Sequence, residues 1–200
     1  MYLKFKYKGM RINKRREEKE GKIMKNLTVF CSSKSNIDVK YHEAVSRLIG
    51  LIDHSKYNVV YGGGTGGLMG TVRKTYEKKG GKVISSNVRR FMENDCPDDF
   101  VYDTIDERQK KLMDLGDMYL ILPGGYGTHF EMLEVMTKND IGEASKPIFL
   151  YNVNGIFDNL IKLIDNLVKE GFITRNFDNI KVFSSGDEFE LSCMINTYDS

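Results

Sequence analysis

Apolar residues in this chain come in short runs, separated by longer segments in which they recur every three or four positions. "LTVFC" (27–31), "YNVVY" (57–61), "KVISS" (82–86), "MYLIL" (118–122), "PIFLY" (147–151) and "IKVFS" (180–184) read as strands. Between them, 37–53 carries Val45, Leu48, Ile49 and Ile52 at helical spacing. Segments 67–79, 105–116, 129–141, 156–169 and 187–197 also read as helices. The stretch from 87 to about 103 has no period and is expected to be irregular. Regular strand–helix alternation predicts an α/β fold: a doubly wound parallel sheet with helices on both faces, in a single domain over 24–200. Ligands of such sheets bind beyond the carboxyl ends of the strands.

Two glycine-rich turns fall at those ends. Gly62-Gly63-Gly64-Thr65-Gly66-Gly67 follows the strand at 57–61 and opens a helix, and its GxGxxG spacing suits an anion on bare backbone N–H groups. Gly63, Gly64 and Gly67 are therefore candidate phosphate contacts. The acidic residue that a dinucleotide site needs about 20 positions on is absent, because the next strand ends in "ISSNV". Leu68 also stands where a Walker loop needs lysine. A single phosphate, as in a mononucleotide, fits better. A tight turn that only permits close packing is the competing reading.

The second turn, Pro123-Gly124-Gly125-Tyr126-Gly127, is followed by Thr128-His129-Phe130-Glu131. Thr128 and Glu131 match a capping box, which accounts for both residues but not for the costly glycines before them. Close approach of a ligand to the backbone would explain those glycines, and would put the Glu131 carboxylate beside it. His129 reads as an incidental loop residue. On 105–116, Ile105, Arg108, Leu112 and Leu115 share one helical face. A guanidinium in an apolar stripe needs a partner, either a structural carboxylate or a ligand anion. Thr104 and Glu107 form another capping-box pattern.

Charge and cysteine content narrow the classes. The net charge is +2, but residues 1–23 hold nine basic and three acidic side chains, leaving 21 basic against 25 acidic ones in the rest. The body is not expected to bind nucleic acid, and 1–23 reads as a basic N-terminal extension. No apolar run is long enough to span a bilayer, so no membrane association is expected. Cys31, Cys96 and Cys193 are odd in number and far apart, consistent with a reducing, cytoplasmic setting.

Taken together, "YGGGTGGLMG" (61–70), "ERQ" (107–109) and "PGGYGTHFEMLEVMT" (123–137) resemble the Lonely Guy (LOG) family of cytokinin-activating phosphoribohydrolases, long mislabelled lysine decarboxylases. The resemblance covers roughly 25–175. It implies a Rossmann-like fold, a homodimer, and no metal or other cofactor. It also implies hydrolysis of the N-glycosidic bond of nucleoside 5′-monophosphates, such as cytokinin riboside 5′-monophosphate or AMP-like nucleotides. By matching position, Arg108 and Glu131 are the catalytic pair. Gly124, Gly125, Tyr126, Gly127 and Thr128 surround the phosphate, and Glu134 and Thr137 line the site. Lysine decarboxylation would need a Schiff-base lysine, and no residue marks one. The chain departs from the family at Gln109, where lysine is common, with Lys110 as a candidate substitute. "SSNV" also stands where Gly-Val-x-Pro is usual. A non-catalytic nucleotide-binding module is the alternative reading.

Overall fold

The strands order themselves around the first one, Lys25–Phe30. A computed structural model of the chain describes residues 24–92, 98–173 and 180–198. The elements are β1 (Lys25–Phe30), α1 (Val39–Leu51), β2 (Tyr57–Tyr61), α2 (Gly67–Lys78), β3 (Val83–Val88), β4 (Phe100–Tyr102), α3 (Ile105–Leu115), β5 (Met118–Ile121), α4 (Tyr126–Asp140), β6 (Ile148–Asn152), α5 (Asp158–Lys169), β7 (Ile180–Ser184) and α6 (Glu188–Asn196). Seven strands pair in the order β4-β3-β2-β1-β5-β6-β7, and every pairing is parallel. The chain winds one way from β1 to β4 and the other way from β5 to β7. The crevice therefore opens where β1 meets β5, at their carboxyl ends.

Alternation along the strands divides the core in two. Leu27, Val29, Val59 and Leu120 pack against α1, α2 and α6 through Val45, Leu48, Val72, Leu191 and Ile195. Phe30, Val60, Tyr119 and Ile121 point to the other face and meet Leu112, Met113, Met132, Val135 and Phe157 from the side of α3, α4 and α5. The doubly wound parallel sheet expected from the sequence is thus present. One expectation fails locally: 100–102 is a strand on the sheet edge, paired with Ser86–Val88 of β3. Three residues are too few for a period-2 pattern to stand out.

The last helix closes on the start of the domain. Tyr57 Oη donates to Ile195 O (2.5 Å) and Lys25 Nζ to Tyr198 O (2.8 Å). Asn196 accepts from Asp53 N and donates to Leu51 O. Glu188 takes Arg47 of α1 at 3.0 Å and the Tyr151 hydroxyl of β6. The basic extension 1–23 and Cys96 lie outside the described residues. Among the described residues, no helix is long and apolar enough to cross a membrane.

Candidate active site

Arg108 enters the crevice from the first turn of α3. That helix starts where it does because Thr104 and Glu107 close a reciprocal capping box, as the sequence suggested. The start fixes the stripe, so Arg108 points at the sheet while Leu112 below it fills the core. Its Nε donates to the carbonyl of Ser86 on β3 (3.1 Å), and its Nη1 to Glu131 Oε1 on α4 (2.6 Å). The side chains are 13% and 5% exposed, so this is a buried ion pair. Nη2 lies over Gly62, where any Cβ would collide with it.

Glu131 therefore does not cap its helix. α4 begins at Tyr126 with Gly125 as N-cap and no side-chain cap, which puts Thr128 inside the first turn. The capping-box reading of Thr128 and Glu131 is corrected: the carboxylate turns inward to Arg108. Burial pushes its carboxyl above the usual carboxylate range; Arg108 pulls it back, and Glu134, one turn further along, adds to the rise. The thiol of Cys31, at the end of β1, is pushed up by burial and then by the Glu131 charge, while Arg108 opposes this. It stays a neutral wall of the site.

The second glycine turn is open. A Cβ at Gly125 or Gly127 would meet nothing within 4 Å, and Tyr126 between them is 98% exposed. Gly124 is tight instead, held against the Thr128 side chain. Tyr126, Gly127 and Thr128 open the 15-residue α4, so their N–H groups have no intrahelical acceptor. No acidic side chain occupies that first turn. Backbone donors and the positive helix end thus face free space within one turn of Glu131. His129 lies inside α4 and not in a loop as expected; its Nδ1 lies 2.9 Å from the Gly125 carbonyl oxygen and its ring is tilted against Phe157.

The first glycine turn is different, and here the packing reading prevails for the helix end. Leu68 N and Met69 N both bond Ser32 O (2.9 and 3.2 Å), and Gly67 N bonds Ser35 Oγ (3.3 Å). The segment after β1 has taken the donors that an anion would need, so Gly67 is corrected from phosphate contact to packing glycine. Its φ of +55° and a backbone neighbour 2.7 Å from any added Cβ explain why glycine stands there. Gly63 and Gly64 remain at the crevice, with φ of +77° and +82°, but a carboxylate oxygen of Asp98 lies against Gly63, so Gly63 too is corrected as a phosphate contact.

Two further expected residues do not join the pair directly. Thr137 is exposed, donates to Leu133 O (2.7 Å), and lies six residues beyond Glu131, about 9 Å along the helix axis. Glu134 is half-buried, with one oxygen near Lys138 (3.7 Å) and the other without a partner among the described residues. Lys110 does not stand in for a lysine at 109: it is exposed and pairs with Asp114 (3.1 Å). Gln109 itself is 2% exposed, and neither end of its amide is hydrogen-bonded among the described residues. Sequence reasoning missed the Ser86 carbonyl, Cys31, Asn87 and Asp98. Only the unusual "SSNV" hinted at that corner.

Comparison with known proteins fits this arrangement. A family model described as "possible lysine decarboxylase" matches residues 69–191, which include Arg108, the second glycine turn and Glu131. Cytokinin riboside 5′-monophosphate phosphoribohydrolase LOG2 of Arabidopsis thaliana is 34% identical over 163 residues, covering 79% of this chain and 76% of the relative. LOG5 of the same plant, which carries the same enzyme name, is 35% identical over 154 residues, 74% of this chain and 68% of the relative. The chain belongs to the LOG family. Solved structures agree on the α/β fold alone. The molybdenum cofactor binding protein of Rippkaea orientalis superposes with a TM-score of 0.63 at 16% identity, covering 88% of this chain and 99% of that one. The molybdenum cofactor carrier protein of Chlamydomonas reinhardtii gives 0.60 at 13%, covering 86% and 97%.

Proposed function

We propose that this LOG-family chain hydrolyses the N-glycosidic bond of nucleoside 5′-monophosphates, releasing free base and ribose 5-phosphate. The observation that carries the reading is the buried Arg108–Glu131 pair (2.6 Å) one turn from an uncapped helix N-terminus. The phosphate sits on the N–H groups of Tyr126, Gly127 and Thr128, where the helix end favours an anion. That remote contact aligns the ribose over Glu131. As the C1′–N bond breaks, positive charge grows on C1′ and its ring oxygen. The Glu131 carboxylate faces that charge and orients the attacking water. Water's oxygen bonds to C1′, keeping one proton as the new hydroxyl and passing the other to the Glu131 carboxylate. The base leaves with the electron pair of the broken C1′–N bond and takes a proton from solvent; Glu131 then returns its proton to solvent, so that one water is consumed. Burial raises the Glu131 carboxyl, and Arg108 works against that rise, favouring the ionised form and holding the group in place.

A panel of nucleoside 5′-monophosphates that includes AMP and N6-isopentenyl-AMP tests the reading, with free base followed by chromatography. Base release at rates that scale with enzyme is expected. Saturable binding with no release would make the chain a nucleotide-binding module instead.

The assembly we propose is a homodimer through α4. Tyr126, Phe130, Leu133 and Ile141 follow one helical stripe, and all four are exposed. Thr137 lies on the same stripe, so in a dimer it would face the partner. Light scattering is expected to give twice the chain mass, and Leu133→Glu to halve it. A monomeric parent protein would end this idea. A cytoplasmic location fits the free thiols of Cys31 and Cys193.

A further inference from the structure

Consecutive glycines of the first turn carry opposite charges on their bare sides. Arg108 Nη2 covers Gly62, and the Asp98 carboxylate covers Gly63. Asp98 comes from the segment leading into β4 and is held from β3: Asn87, 5% exposed, donates its Nδ2 to Asp98 Oδ2 (2.9 Å). Asn87 is fixed in turn, because its Oδ1 accepts from Val88 N (2.8 Å). The other carboxylate oxygen, Oδ1, is buried against Gly63 and has no hydrogen-bond partner among the described residues. A Cβ at position 63 would lie 2.9 Å from Asn87 Nδ2 and nearer still to Oδ1, so only glycine lets the carboxylate close on the loop.

A desolvated carboxylate oxygen with no donor is costly, and a structural role does not explain it. Oδ2 and Asn87 already fix the chain. The free oxygen is an acceptor that a ligand's donor can complete. The phosphate end of the crevice lies after β5, and Arg108 reaches from Glu131 on that side across to Gly62. Asp98 is therefore on the far side of the reacting centre from the phosphate. A nucleotide offers hydroxyl donors there, on the ribose. Glycosidic cleavage also makes the 2-hydroxyl of the sugar more acidic in the transition state, so its bond to a carboxylate strengthens as charge develops. Dinucleotide-binding parallel sheets with a GxGxxG turn use an acid at the next strand to bind a ribose 2′-hydroxyl. Here "ISSNV" lacks the acid, and Asn87 holds one that comes from eleven residues further along.

We propose that Asp98, oriented by Asn87, is the substrate-binding residue that accepts a hydrogen bond from the ribose 2′-hydroxyl and selects ribonucleotides over 2′-deoxyribonucleotides. This rests on the phosphoribohydrolase reading of the same crevice. The experiment compares kcat/KM for AMP, 2′-dAMP and IMP in wild type, Asp98→Asn and Asp98→Ala. Asp98→Asn keeps the shape and an acceptor for Asn87, so it folds as wild type does. Wild type is expected to prefer AMP over 2′-dAMP by roughly ten- to a hundredfold, the worth of a hydrogen bond to a charged group. Both variants are expected to bring that ratio to within about threefold while leaving the AMP-to-IMP ratio unchanged. An unchanged AMP-to-2′-dAMP ratio overturns the inference and leaves the hydrolase standing. A change in the AMP-to-IMP ratio alone would move Asp98 to the base and overturn it as well. If wild type cleaves nothing, calorimetric Kd ratios for AMP and 2′-dAMP in the same three proteins decide the matter. The same ratio in all three, or no binding at all, overturns it.

Discussion

Glu131→Gln is expected to fold normally, bind nucleoside monophosphate, and lose roughly a thousandfold or more in kcat. Three observations set that expectation. The amide is isosteric and still offers Arg108 an oxygen in place of the carboxylate it holds at 2.6 Å. The proposed phosphate contacts are backbone groups at the start of α4, which the change does not touch. What disappears is the negative charge opposite C1′, and a preorganised charge in a buried site accounts for about this much acceleration. KM should therefore move little while kcat collapses. The pH profile gives a second readout. Burial and Glu134 push the Glu131 carboxyl up, so the form that works is the one present above a raised value. Activity should rise with pH along an acid limb displaced above the ordinary glutamate range, and any residual rate in Glu131→Gln should lack that limb. Full turnover in the variant would remove Glu131 from the chemistry.

Arg108→Ala is expected to damage both stability and activity. Glu131 is 5% exposed, so removing its counter-ion strands a carboxylate in apolar surroundings, a change worth about 3–5 kcal/mol when a buried pair is broken. The Ser86 carbonyl loses its donor as well. The stranded group responds by holding its proton to a higher pH. Its folded value is then raised further above the unfolded one, so the folded state binds the extra proton and stability falls as pH rises through that window. The deficit against wild type should shrink as pH is lowered toward the ordinary glutamate range, where both states are protonated. Urea titrations at several pH values measure this directly. A deficit that grew on acidification would mean that Arg108 is held mainly by groups other than Glu131.

The architecture was legible because burial on both faces forces long apolar runs in strands, and 3.6-period stripes separate them. Arg108 was legible as an anomaly within such a stripe, and Glu131 as a member of a glycine-rich signature. The structure joined the two. What could not be read was whatever depends on a distant partner. The helix end at Gly67 looks like an anion site along the chain, but Ser32 and Ser35 had already taken its donors. Thr128 and Glu131 match a capping box by spacing, yet α4 starts three residues earlier and a guanidinium outcompetes the backbone. Asp98 sat in a stretch without period, and its bond to Asn87, beside the bonds of Asp99 to Ser85, brings it to the crevice.

The closure of α6 onto α1, β1 and β2 bears on how the chain is made. Tyr57 and Lys25 find their acceptors 138 and 173 positions later, so the face of the sheet covered by α6 has no lid until that helix is made. Leu48, Ile49 and Ile52 wait there with apolar surface uncovered until the final helix emerges. A ribosome that pauses before α6 is made would hold out the crevice on a body still able to stick to its neighbours. Chaperone demand should therefore be set by the last helix rather than by the active site.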